Sequence, residues 1–133
     1  MRAAVITGHG GLEVVGAVDD LPIPEPGRDE VRVNIKAAAL NRLDIWVREG
    51  WPGLKLEMPH IGCADGAGVV DAIGEGVGNF VPGDHVSIDP TIVPDGDPML
   101  MTGRENQSRK MMILSEDMPG VAAEYAILPA RNL

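Results

Sequence analysis

The chain has 133 residues, about one ordinary domain and enough to bury a core without disulfides or metals. Twenty acidic against 11 basic residues give a formal net charge of -9, which argues against nucleic acid or an anionic membrane as partner. The 17 glycines and 11 prolines are too many for a helical bundle, and 44% hydrophobic residues are too many for disorder, so short strands joined by many turns are expected.

Residues 2–7, RAAVIT, read as a first strand, and LEVVGAV after the GHGG turn reads as a second strand paired back on it. LPIPEPGRDE, with three prolines, is an extended connector. VRVNIKAAAL alternates Val31, Val33 and Ile35 against Arg32, Asn34 and Lys36, the period of two of a half-buried strand with its odd face inward. From Asn41 to Glu49 the period changes; Asn41 can cap a short helix that Gly50 ends. WPGLKLEMPH is loop, GVVDAIG a strand, GNFVPGDH a turn and HVSIDP another short strand. Residues 90–121 hold five of the seven methionines and the polar run GRENQSRK without a clear period, which predicts an excursion or lobe; AAEYAIL then resumes a strand. The single cysteine forms no internal disulfide. The N-terminal apolar run is too short for a secretory leader, and no run approaches the roughly 18 residues of a membrane helix. The chain is therefore expected to be cytoplasmic.

The stretch GCADGAGVVDAIGEGVGN, residues 62–79, admits three readings: metal site, phosphate cradle or tight corner. A dinucleotide cradle needs G-x-G-x-x-G between a strand and a helix, whereas these glycines flank a Val-rich strand. A zinc site would draw on Cys63, His60 and His85, which lack the close pairs of a structural site. Cys63 beside Ala64 reads as an inert buried thiol. The Asp95-Gly96-Asp97 run lacks the rest of a calcium loop. On the residues alone, the chain is an acidic, mainly β domain.

The order of three longer pieces says more. AAALNRLDIWVREG, then MPHIGCADGAGVVDAIGEGVGNFVPGDHVSI, then GVAAEYAILPARNL resembles the N-terminal GroES-like domain of the medium-chain dehydrogenases/reductases, which include zinc alcohol dehydrogenases and zinc-free quinone oxidoreductases. The resemblance implies a GroES-like, partly open β-barrel with short helices over residues 1–133, residues 90–121 being a lobe. Gly66, Gly68, Gly74, Gly76 and Gly83 would then be turn and barrel-corner glycines.

In zinc-dependent relatives this domain gives catalytic zinc a Cys and a His, whose positions match Asn41 and Ala64. Neither can replace a zinc ligand, so no metal is expected there. A second, structural zinc lobe of pattern C-x2-C-x2-C-x7-C falls here on Pro94, Asp97, Leu100 and Ser108, with Met99, Leu100, Met101, Met111 and Met112 as candidate apolar replacements for the metal. Asn41, Asp44 and Asp65 become the candidate catalytic residues, with Asn41 and Asp65 also facing cofactor, and Trp46 and Trp51 become candidate walls of a substrate cleft. For Asn41 a helix cap is an equal reading, for Asp44 a first-turn carboxylate, for Asp65 a buried ion pair, and for the tryptophans core packing.

The family's cofactor, NAD(P)H, binds mainly to a Rossmann domain that follows the GroES-like one, and this chain ends at AILPARNL before it. The chain alone is thus not expected to bind NAD(P)H or to turn over. It is expected to need a missing or separate Rossmann domain as partner and to form homo-oligomers through surface left uncovered. It could be a fragment, a natural truncation or half of a split enzyme. The alternative function is a non-catalytic GroES-like interaction module.

Overall fold

A computed structural model describes residues 1–133. It is mainly β, with sheets of three, four and two strands and a single α-helix. The first strand, β1 (Ala3–Ile6), pairs antiparallel with β2 (Val15–Val18) on one side and β4 (His60–Ile61) on the other. The second strand is shorter than the sequence suggests. Leu12–Val14 forms a 3-10 turn, and the Glu13 carboxylate reaches back to the Gly11 N–H at 2.7 Å, an alternative to strand pairing for that backbone.

The larger sheet runs β6 (His85–Ser87), β5 (Asp65–Ile73), β3 (Glu30–Ala39), β9 (Tyr125–Pro129), all antiparallel neighbours. The odd face of β3 does turn inward: Val31 and Val33 are fully buried and meet Val70, Val86, Ala126 and Leu128 in one core cluster. On the other face Arg32 donates to Asp71 at 2.6 Å and to the Pro24 carbonyl at 3.0 Å, which ties the proline-rich connector to the sheet. The glycines of residues 62–79 divide by cause. Gly76 and Gly83 have positive φ, whereas a Cβ on Gly68 would lie 2.3 Å from the Asn34 carbonyl oxygen across the β3–β5 pair.

Two features of this sheet position the site. β5 begins at Asp65, three residues before the expected strand, because Asp65, Gly66 and Ala67 pair with Ala39, Ala38 and Ala37. That register sets Asp65 opposite a residue only two before Asn41. The helix α1 (Arg42–Glu49) then starts at the Asn41 cap and ends at Gly50, as the sequence suggests. The excursion at 90–121 is less irregular than expected, since β7 (Thr91–Ile92) and β8 (Met112–Ile113) pair at its base. No helix is long and apolar enough to cross a membrane.

Candidate functional site

At the start of α1 the first N–H groups lack helical partners, so nearby acceptors are drawn to them. Asp44 supplies one: its Oδ2 accepts the Asn41 backbone N–H at 2.7 Å, and the Asn41 carbonyl accepts the Asp44 N–H at 3.1 Å. A carboxylate in the first turn is also favoured by the helix dipole. With its backbone held in this way, Asn41 turns its side chain outward, and Nδ2 donates to Asp65 Oδ2 at 2.7 Å. Strand register and helix cap therefore bring two candidates into direct contact. The capping role and the site-facing role of Asn41 are not exclusive, because backbone serves the first and the side-chain amide the second.

Asp44 does more than occupy a first turn. Its Oδ1 accepts the Cys63 backbone N–H at 2.7 Å and the Ser115 hydroxyl at 3.3 Å, so one carboxylate joins α1, the turn before β5 and the segment just after β8, where the lobe returns to the body. Cys63 and Ser115 both have positive φ, 64° and 70°, a region that residues with a Cβ seldom occupy. Such strain persists only where the surroundings over-determine it. Gly120 contributes to that constraint: its N–H donates to the Ile61 carbonyl at 2.8 Å, and a Cβ there would lie 2.2 Å from the Gly62 carbonyl oxygen and 2.3 Å from that of Cys63.

Burial sets the chemistry of the two remaining groups. The Cys63 thiol is pushed up to about 11 by burial, with the Asp44 and Asp65 charges adding to the effect. It is neutral and unreactive at pH 7. His60 is buried at 3% exposure, and desolvation lowers its pKa, so the neutral ring is the native form. A carbonyl can only accept, so His60 Nε2 carries the proton and donates to the Ser115 carbonyl at 3.0 Å.

Asn41, Asp44, His60 and Cys63 share the wall of a largely apolar cavity of about 540 Å³ between α1 and β1. Leu12, Val15, Leu40 and Ile45, all at least half exposed, form its apolar rim. Trp46 and Trp51 are not among its walls. Trp46 is 53% exposed on the outer face of α1 with the Arg42 guanidinium 5.9 Å from its ring, and Trp51 is 40% exposed in the following loop. Asp65 is exposed, with the Asn41 amide and no cation as its hydrogen-bond partner, so it is not the buried ion pair that its position also allowed.

The donor set does not fit zinc. No three His, Cys, Asp or Glu side chains converge to hold a metal ion. Ala64 offers a methyl group, Asn41 a neutral amide already bonded to a carboxylate, and Cys63 a thiol kept protonated by burial.

Residues 27–133 match the family described as the alcohol dehydrogenase GroES-like domain. The chain belongs to that family. Among solved structures, a NAD-dependent alcohol dehydrogenase superposes with a TM-score of 0.94 at 49% identity, over 99% of this chain and 38% of that one. A cobalt- and zinc-bound thermostable alcohol dehydrogenase from Pyrobaculum aerophilum does so with a TM-score of 0.88 at 34% identity, over 99% of this chain and 40% of that one. The chloroplastic quinone-oxidoreductase QR1 of Triphysaria versicolor is 41% identical over 88 residues, 65% of this chain and 27% of that one. This GroES-like chain thus spans two fifths or less of the length of these relatives.

Sequence reasoning missed Ser115 and Gly120. Ser115 lies 71 residues from Asp44, and nothing local to it signals the contact. Gly120 could have been suspected from a glycine just ahead of the A-E-Y strand.

Proposed function

We propose that this chain is the substrate-side domain of a zinc-independent NAD(P)H-dependent oxidoreductase, which transfers hydride to or from a carbonyl, enone or quinone. The observation that carries the reading is the Asn41–Asp65 contact, in which Asn41 stands where the family resemblance puts one zinc ligand and Asp65 follows Ala64, which stands where it puts the other. Without a Lewis acid, charge developing on a substrate oxygen must meet fixed hydrogen-bond donors. The Asn41 amide has two hydrogens, one of which Asp65 takes. That bond orients the amide, and the second hydrogen is left for a substrate or nicotinamide oxygen. Asp44 acts as a positioning residue, since it fixes the backbone of both Asn41 and Cys63.

Bound NAD(P)H would supply the hydride and the greater part of the difficult chemistry. The residues of this chain would orient one side of the reaction and exclude water. The partner in this reading is a Rossmann domain, in the same polypeptide or a separate one. The apolar rim continuous with Asn41 suits cover by that domain: Leu40 is 82% exposed and Leu12 79%. In its absence the same rim would support homo-oligomers. A lone thiol and an acidic surface fit a reducing, cytoplasmic setting.

The test supplies the nucleotide-binding domain, fused or in trans, and compares Asn41→Ala with wild type. Turnover of quinone, enone or aldehyde should fall about a hundredfold, the scale of losing one oriented donor, while NAD(P)H binding and stability change little. Activity should persist after chelation. Loss of activity with a chelator, restored by zinc, would overturn the zinc-independent reading, and an Asn41→Ala enzyme as active as wild type would remove Asn41 from the chemistry.

A further inference from the structure

The lobe at 90–121 is fixed at its base, where Thr91 and Ile92 pair with Ile113 and Met112 and the Leu114 N–H donates to the Pro90 carbonyl. Beyond that base it has almost no core. From Pro94 to Met111 the one fully buried residue is an acid, Asp97, at 7% exposure. The methionines do not take over: Met101 is 79% exposed, while Met112, at the base, packs against the body's core. A carboxylate withdrawn from water is costly unless hydrogen bonds satisfy it.

Asp97 is well satisfied. Its Oδ1 accepts the Met99 N–H at 2.8 Å, and its Oδ2 accepts the Ser108 hydroxyl at 3.0 Å. Ser108 Oγ in turn accepts the Lys110 N–H at 3.0 Å. The backbone follows the same closure, with the Asp97 carbonyl accepting from Met101 at 3.3 Å and Ser108 N–H donating to the Glu105 carbonyl at 3.0 Å. Asp97 and Ser108 stand where two of four metal-binding cysteines fall in the family pattern; the other two positions are Pro94 and Leu100. One carboxylate, one hydroxyl and two apolar side chains cannot make a tetrahedral zinc site.

We infer that the Asp97–Ser108 hydrogen bond closes this lobe, as a metal-free replacement for the zinc staple. It spans 11 residues and has little packing to assist it, so the order of residues 98–111 depends on it. Arg104, Arg109 and Lys110 are exposed within or beside the closed segment and provide trypsin sites that report its opening.

The experiment is limited trypsinolysis of the whole chain, with cleavage products mapped by mass. Ser108→Ala should speed cleavage at Arg104, Arg109 and Lys110 by roughly tenfold, the scale expected for losing a hydrogen bond to a charged group. Cleavage at Arg32 and Arg48 should not change. Ser108→Thr, which keeps the hydroxyl, should restore the wild-type rate, and chelator should not alter wild-type cleavage. Equal rates for wild type and Ser108→Ala would overturn the inference, as would failure of Ser108→Thr to rescue. Acceleration spread evenly over all sites would place the bond's effect in the body and overturn it too. Chelator-induced cleavage of the wild-type lobe would show that a metal holds it.

Discussion

Asp44 and Asp97 use the same chemistry in two very different places. Each carboxylate collects a backbone N–H and a serine hydroxyl, Ser115 for Asp44 and Ser108 for Asp97. The Asp44–Ser115 contact joins residues 71 apart, against 11 for Asp97–Ser108. Closing the longer span costs about 1.6 kcal/mol more in chain entropy, which offsets most of what one long hydrogen bond at 3.3 Å contributes. The body brings Asp44 and Ser115 together through its packed core, and their contact then refines a site. From Pro94 to Met111 in the lobe there is no such core, and the hydrogen bond itself has to hold the loop. The same interaction is therefore a consequence of folding in one region and a cause of local order in the other.

Glycine substitutions test that contrast with the largest expected effect. Gly120→Ala would drive a Cβ to 2.2 Å and 2.3 Å from two backbone oxygens of the Cys63 turn, neither of which can move without disturbing the core. We expect a loss of at least about 3 kcal/mol in urea unfolding, on the scale of severe overpacking. Gly103 in the lobe has φ of 66° but open space around it, so Gly103→Ala should cost only about 1 kcal/mol and leave the body's midpoint nearly unchanged. Similar losses for the two would erase the distinction between body and lobe.

Asp44→Asn comes next. It exchanges one acceptor oxygen for a donor, which leaves the Asn41 or Cys63 N–H, both 2.7 Å from the carboxylate, without a partner. The expected cost is about 2 kcal/mol of global stability, with little change in lobe proteolysis. Asn41→Ala should cost about 1 kcal/mol or less, because the backbone bonds of the cap remain.

Legibility from sequence follows the same division. The alternation of Val31, Val33 and Ile35, the Asn41 cap and the Gly50 stop are local signals, and each fold feature they announce is present. The family order of motifs makes the GroES-like fold readable, whereas the Asn41–Asp65 contact needs the β3–β5 register and the α1 cap together, neither of which a motif states. The Ser115 and Gly120 contributions depend on tertiary closure across the lobe and have no local pattern. Residues 12–14 depart from the strand that their apolar run predicts, because the Glu13 carboxylate captures the Gly11 N–H. The tryptophans do not line the α1–β1 cavity, since helix phase puts Trp46 on the outer face of α1 and Trp51 stands in the loop that follows; the core packing that aromatic residues favour is absent for both.

Titration offers a gentler probe of the body. His60 has its pKa lowered by burial, so its contribution to stability is present above its ordinary value of 6.5 and is lost as pH falls through the lower native value. Cys63 has the opposite window: raised from 9.0 to about 11, it favours the fold below pH 9, and that contribution fades as pH rises through 11. Stability measured by urea unfolding should therefore be flat from about pH 6.5 to 9 as far as these two groups are concerned. Reaction of the native thiol with a maleimide at pH 7.5 should be far slower than in the unfolded chain. Rapid labelling of native Cys63 would mean that the turn opens, and with it the Asp44 contact.

The smallest effect concerns association, where two terms oppose each other. The four apolar side chains around the α1–β1 cavity are at least half exposed, and β9 lies at the edge of its sheet with one side unpaired. Both invite a second copy. Pro129 at the end of β9 shortens the edge available for pairing, and a charge of -9 repels a like chain. Repulsion between diffuse charges is screened beyond about 8 Å at physiological ionic strength, whereas apolar contact is not. Light scattering should therefore show self-association that strengthens from low to moderate salt. Leu40→Ser should weaken it, because Leu40 is the most exposed member of the rim at 82%. An unchanged oligomer in Leu40→Ser would move the contact to the β9 edge, and a monomer at every salt and protein concentration would mean that the rim binds only a different domain.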